Sequence, residues 1–371
     1  MSDSEFELED HDNGGANPLP KALCLSGGGY RAMLFHVGSI LRMREMGILQ
    51  NLDLISSVSG GSITSAMLAL AWDAIGDSEA FSNQFVDPIR RLASTTIDRG
   101  SVLRGALPGP SVSGSIEKAY RRHLFGEKTL QALPDAPRFV INATNLQSGA
   151  LWRFSKPYAR DYRVGRIAEP DIPLAKAVAA SSAFPPILSP FFLDLDPSSF
   201  DAGSGDDLQR EPYTSRPILS DGGVYDNLGI EAAWKRSDTI FVSDAGGKMQ
   251  AQEKIKVFWP TQLFRVYMVT DNQVRGLRKR WYLERKADGS LKGAYWGIRT
   301  GIASYPVESR MACRPEGIDE LARTPTRLKA LSDTYQERLI NWGYASCDAS
   351  IRSFYDDSVT MGTYPFPDSP V

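Results

Sequence analysis

From residue 21 onward, short apolar runs bounded by Gly and Ser alternate with longer stretches in which apolar residues recur at helical spacing. Ala22 to Ser26 reads as a strand running into glycines, and Tyr30 to Met46 as the helix after it, closed by Gly47. Leu54 to Val58 is a second short strand, which hands over through Gly60 and Gly61 to Ser62 to Trp72, apolar and Ala-rich enough for a buried helix. Strand-turn-helix units in direct succession predict an α/β fold with a largely parallel sheet. Phe139 to Ala143, Thr239 to Ser243 and Leu263 to Val269 are further strand candidates, and residues 318–345 return to a helical pattern. The stretch from Asp194 to Arg216, rich in Asp, Ser, Gly and Pro, predicts a long surface loop.

Residues 1–20 break the pattern, with six acids and no base. They lack the positive and apolar regions of a signal peptide, so a solvated tail is expected. No stretch approaches the roughly 18 consecutive apolar residues of a membrane-spanning helix. The chain has 371 residues, 42% hydrophobic and 23% charged, which suffices for a sizeable core. At about 150 residues per domain this length allows two domains. No clean linker appears, so the expectation is one elaborated domain: the tail, a core over 21–245, and a C-terminal extension over 246–371 packed on it. Forty-two Lys and Arg against 44 Asp and Glu leave a net charge of -2, which gives no global field toward nucleic acid. Cys24, Cys313 and Cys347 have no CxxC spacing and suggest neither a disulfide framework nor a zinc site. A reducing, cytoplasmic setting is the expectation.

Candidate chemistry begins at Ser26-Gly27-Gly28-Gly29-Tyr30-Arg31, where the first strand meets its helix. Consecutive glycines let backbone amides turn inward, and the helix N-terminus adds partial positive charge. Such a loop can hold the pyrophosphate of a dinucleotide, since Gly27, Gly29 and Ala32 satisfy GxGxx[G/A], or the oxyanion of an acyl-transfer intermediate. It can also be a packing turn alone. The second strand ends Ser56-Ser57-Val58-Ser59 without the acid that a dinucleotide ribose wants.

Ser57-Val58-Ser59-Gly60-Gly61 fits a nucleophile elbow, with Ser57 where the first glycine usually stands. The competing reading makes Ser59 an N-cap of the following helix. A serine nucleophile needs a base. Of the three histidines, His11 lies in the tail, His36 in the first helix, and His123 in a basic polar stretch, so none is placed as a triad base. A carboxylate is the alternative, and Asp221-Gly222-Gly223 offers one beside small residues that could enter a crowded site, unless it is only an Asp-Gly turn.

Taken in order, Gly27-Gly28-Gly29-Tyr30-Arg31, Ser57-Val58-Ser59-Gly60-Gly61, Ala180-Ser181-Ser182-Ala183-Phe184-Pro185-Pro186 and Asp221-Gly222-Gly223 resemble the patatin-like phospholipases, over roughly residues 21–245. The resemblance implies a three-layer α/β/α fold with a largely parallel central sheet. It also implies an oxyanion loop from Gly27 to Gly29 and a Ser59–Asp221 dyad without histidine, with Arg31, Gly60, Gly61, Gly222 and Gly223 in support. The implied activity is hydrolysis of fatty-acyl esters of phospholipids or related lipids, with no metal or organic cofactor. The acidic run Asp194, Asp196, Asp201, Asp206, Asp207 lacks calcium-loop spacing. A dinucleotide-dependent enzyme and a catalytically silent lipid-binding or regulatory protein are the competing classes.

A lipid substrate implies peripheral membrane or micelle contact. Arg275 to Lys286 sets six bases beside Trp281 and Tyr282, the mixture expected at an anionic headgroup surface, although a solvated helix face would look the same. The stretch could also meet a partner protein or an anionic activator. No nucleic-acid motif accompanies it.

Overall fold

A computed structural model describes residues 21–97, 111–255 and 257–371, so the acidic tail and His11 lie outside the described residues. The central sheet is built from β1 (Lys21–Leu25), β2 (Leu54–Val58), β3 (Arg138–Asn145), β4 (Leu151–Phe154), β5 (Tyr158–Asp161), β6 (Gly165–Ala168), β7 (Phe191–Phe192), β8 (Ile218–Asp221), β9 (Thr239–Asp244) and β10 (Tyr295–Gly297). Its main path runs β10-β9-β1-β2-β3-β4-β5-β6. The β10-β9-β1-β2-β3 half is parallel throughout and the β3-β4-β5-β6 half antiparallel. The central strands are apolar on both faces, as a sheet covered twice requires. Leu23, Leu25 and Ile55 enter one core, while their neighbours Ala22, Cys24 and Leu54 enter the other.

The principal helices are α1 (Gly29–Glu45), α2 (Gly60–Leu70), α3 (Leu174–Ser181), α4 (Trp259–Ala287), α5 (Pro315–Ala322) and α6 (Asp333–Phe354). Helices cover both faces, giving three layers around a mixed sheet whose β10-β9-β1-β2-β3 half is parallel. α1, α2 and α6 feed the larger core, and Tyr282 of α4 enters the smaller one. α6, from the C-terminal region, packs along α1. A side chain at Gly343 would run into the Phe35 carbonyl, and one at Gly38 into that of Ile340, so the absence of Cβ atoms sets how closely these helices cross.

The strand expected over Leu263 to Val269 is instead part of α4. A short window rich in Val and aromatic residues mimics a strand, but over the longer span the inward positions Phe264, Tyr267, Met268, Asp271 and Arg275 follow a helical period. The helical pattern over 318–345 divides into α5 and α6. Pro325 lies in the break and disfavours helical backbone at the residue before it. Three acids of the loop around Asp194 to Arg216 stand in surface pairs: Asp194 with Arg216, Asp201 with Arg166, Asp207 with Arg163.

Candidate active site

Sheet register brings Ser59 and Asp221 together. β2 pairs with β3 up to Val58 opposite Asn142, and β8 takes over the same strand from Asp221 opposite Ala143. β2 runs parallel to β3 and β8 antiparallel, so their C-terminal ends converge. At that junction Ser59 leaves the strand with φ 54 and ψ -121, a left-handed backbone that a non-glycine residue adopts only under constraint. Its side chain makes no capping hydrogen bond to α2, so its hydroxyl is not spent as a helix cap.

Buried hydroxyls hold the elbow. The Ser59 N–H donates to Ser181 Oγ at 2.9 Å, and Ser181 donates to the Asn142 carbonyl at 2.7 Å. Ser62 Oγ, with one proton to give, lies 3.1 Å from Ser57 Oγ and 2.9 Å from Ser181 Oγ. Asn142 Nδ2 donates to the Ser57 carbonyl and to Ser56 Oγ, both at 2.9 Å. Ser57, the departure from the usual glycine, thus has a hydroxyl that packs and bonds inside the sheet.

Asp221 is fixed by its own backbone: its N–H donates to the Ala183 carbonyl at 2.9 Å, and its carbonyl accepts from Thr144 Oγ1 at 2.8 Å. Its Oδ1 accepts the Gly223 N–H at 2.8 Å. Burial pushes its carboxyl up to about 7; the Ser59 hydroxyl and the Gly223 N–H draw it down, and Asp271 adds repulsion. Oδ2 is buried and accepts no hydrogen bond among the described residues. The Ser59 hydroxyl therefore stands beside the carboxyl without a well-directed bond to that oxygen, a slackness common in unliganded sites. A carboxylate that titrates near neutrality beside a hydroxyl can take its proton.

The glycine loop lies against this pair. A Cβ on Gly27 would lie 3.1 Å from Ser59 Cβ. The Gly27 N–H is spent on the Asn227 carbonyl at 3.1 Å. The Gly28 and Gly29 amides, at φ 148 and 60, have no partner among the described residues. The loop's free donors are thus fewer than the three glycines suggest. Gly60 abuts the Gly29 backbone, Gly61 the Leu25 carbonyl, and Gly222 the Asn142 carbonyl.

Arg31 is buried and ties the loop to its neighbours. Its guanidinium donates to the Ala245 carbonyl at 2.9 Å, to the Thr324 carbonyl, and to Thr326 Oγ1 at 3.1 Å. Burial and repulsion from Arg275 lower it to about 10, against the attraction of Asp244. The Tyr30 N–H donates to the Arg327 carbonyl at 3.1 Å. Residues 324–327, from a region without recognisable motif, therefore roof the glycine loop.

Ser59 opens onto two cavities. One, of about 300 Å³, is lined by polar groups including Asn227, Lys248, Asp271 and Arg275. The other, of about 270 Å³, is walled by Phe184, Ile187, Leu188 and Leu328. Phe184, Phe264 and Thr326 border both. Sequence reasoning missed Asn142 and Asp271 because each is a single residue outside a motif; Ser181 and Arg275 lay in segments already singled out, but without a role at this site, and Asn227 stands just beyond the Asp221 glycines.

Among the described residues, neither His36 nor His123 lines the cavities at Ser59. His36 is buried, with Nε2 2.9 Å from the Ser26 carbonyl and Nδ1 2.8 Å from Ser243 Oγ, and burial lowers it to about 4. His123 is exposed in the segment Arg121–Phe125.

The basic stretch 275–286 is partly turned inward, while Arg280 stays exposed. Arg275 is buried, Arg278 pairs with Glu231 at 2.5 Å and Asp226 at 3.5 Å, and Lys279 lies over Tyr295. Trp281 stacks on Trp234, and Tyr282 is fully buried. Among the described residues, no helix is long and apolar enough to cross a membrane.

A family model described as patatin-like phospholipase matches residues 23–234. In fold the chain is similar to human GIVD cytosolic phospholipase A2, with 14% identity and a TM-score of 0.53 over 92% of this chain and 60% of that one. It also aligns with VipD from Legionella pneumophila at 14% identity and a TM-score of 0.37, over 89% of this chain and 66% of that one. The chain thus spans about 60% of the length of the human enzyme's structure. No curated protein matches it in sequence.

Proposed function

The chain belongs to the patatin-like phospholipase family, and from that premise we propose that it is a serine acyl hydrolase cleaving fatty-acyl esters of phospholipids or related lipids. One observation carries the reading: a strained, uncapped serine and a carboxyl raised to about 7 meet where β2 and β8 converge, at the junction of a polar and an apolar cavity. Asp221 accepts the Ser59 proton as the hydroxyl oxygen attacks the ester carbonyl. The Gly28 and Gly29 amides receive the oxyanion, and collapse expels the alcohol, which takes up the proton. Water, activated by the same carboxylate, then releases the fatty acid and restores Ser59. The apolar cavity suits an acyl chain, and the polar one a headgroup. None of these steps calls on a metal or an organic cofactor. The test is fatty-acid release from a mixed phospholipid extract by the wild-type chain beside Ser59→Ala and Asp221→Asn. Release by the wild type alone is expected; equal release by all three, or none by any, would end the proposal.

A further inference from the structure

Eight of the fifteen exposed large apolar side chains among the described residues fall between Ile255 and Val269, so exposed apolar surface is concentrated in one short segment. Val257 is 89% exposed, Trp259 69%, Leu263 61% and Val266 55%. Trp259, Leu263 and Val266 follow one another at four and three residues along α4, which puts them on one face. That face points outward, the reverse of the usual arrangement, while Tyr267, Met268 and Asp271 line the cavity at Ser59. Phe264 is half in each setting: 40% exposed, yet bordering both cavities. Ile187, 44% exposed, continues the patch across the mouth of the apolar cavity.

Charge narrows what could cover it. Between Glu253 and Asp271 the sequence holds three bases, Lys254, Lys256 and Arg265, and no acid. Apolar residues with Trp and scattered bases suit the headgroup and acyl boundary of an anionic bilayer. A protein seated there would stop the route to Ser59, whereas a bilayer covers the same surface and supplies the ester through it. We propose that the outward face of the N-terminal half of α4 docks the enzyme on anionic lipid surfaces, delivering substrate over Phe264 and Ile187 into the apolar cavity. The delivery step rests on the acyl-hydrolase reading; the docking itself does not.

The test uses the full chain carrying Ser59→Ala, so that vesicles stay intact, in sedimentation with phosphatidylcholine vesicles lacking or containing phosphatidylserine. Leu263→Ser combined with Val266→Ser should weaken binding about tenfold or more. Lys254→Gln with Arg265→Gln should remove the preference for phosphatidylserine. Leu283→Ser, exposed near the other end of α4, should change neither, and matching circular dichroism checks that each variant folds. In the active chain, Leu263→Ser/Val266→Ser should lose vesicle hydrolysis while keeping hydrolysis of a water-soluble short-chain ester. If neither substrate is cut by the wild type, the catalytic reading fails and the sedimentation result alone judges docking. Unchanged vesicle binding in the double variant would overturn the proposal. So would an oligomer in light scattering that the same substitutions dissolve, since the face would then belong to a second copy.

Discussion

Replacing Asp221 by Asn removes one ionisation and should register in stability as well as in activity. The carboxyl rises from 3.8 to about 7, chiefly because it is buried. That is roughly three pH units at about 1.4 kcal/mol each, so ionising Asp221 in the folded protein costs about 4 kcal/mol. A raised carboxyl favours the folded state while it is protonated. Its stabilisation is complete below about 3.8 and is lost as the pH rises through about 7. The Asn variant has no such loss. Urea unfolding of both proteins across this range should therefore show the variant gaining on the wild type with rising pH, by up to about 4 kcal/mol, and then levelling. Other titrating groups are common to both proteins and cancel in the difference. In the same range the wild-type kcat/KM should rise with slope one to a plateau, with its acid limb near 7, because only the ionised carboxylate can accept the Ser59 proton. The variant should lose about a thousandfold or more in kcat. A stability difference flat in pH, together with an acid limb near 4, would refute the burial argument and the role built on it.

Gly29→Ala should lower kcat about a hundredfold or more while the fold survives by circular dichroism, because φ is 60 there and the new Cβ would lie 2.6 Å from the Arg327 carbonyl oxygen. Asp271→Asn should move the acid limb of kcat/KM to lower pH, since its charge is one of the causes that raise Asp221. His123→Gln should leave activity unchanged, and His36→Gln should keep it wherever the protein remains folded. The neutral, buried His36 contributes stability that is present above about 6.5 and lost as the pH falls toward about 4, about 3 kcal/mol in all, which a pH series of unfolding curves on wild type and variant will isolate.

The site was most legible where chemistry constrains neighbouring residues. Glycines must precede α1, and small residues must surround a strained serine, so the loop and elbow wrote themselves into short strings at the ends of β1 and β2. Asp221 stood out because glycines follow it, but nothing local revealed that β8 continues the pairing of β2 along β3. That juxtaposition is a matter of sheet register between segments more than 150 residues apart. Asn142 and Asp271 carry no local signature at all, since each owes its role to where β3 and α4 pass. The error over Leu263 to Val269 has a physical cause. A helix with apolar residues on an outward face as well as an inward one lacks the clean period that identifies amphipathic helices. The motifless C-terminal region was informative only in three dimensions, where residues 324–327 close over the glycine loop and α6 braces α1.

The central proposal is Ser59 as the nucleophile with Asp221 as its base. The most direct measurement is intact-protein and peptide mass spectrometry after treatment with an alkyl fluorophosphonate, which phosphonylates an activated serine and displaces fluoride. One adduct per chain is expected, on the peptide containing Ser59, absent in Ser59→Ala and slowed about a thousandfold in Asp221→Asn. An adduct on another residue, or labelling of Ser59→Ala at the wild-type rate, would contradict it.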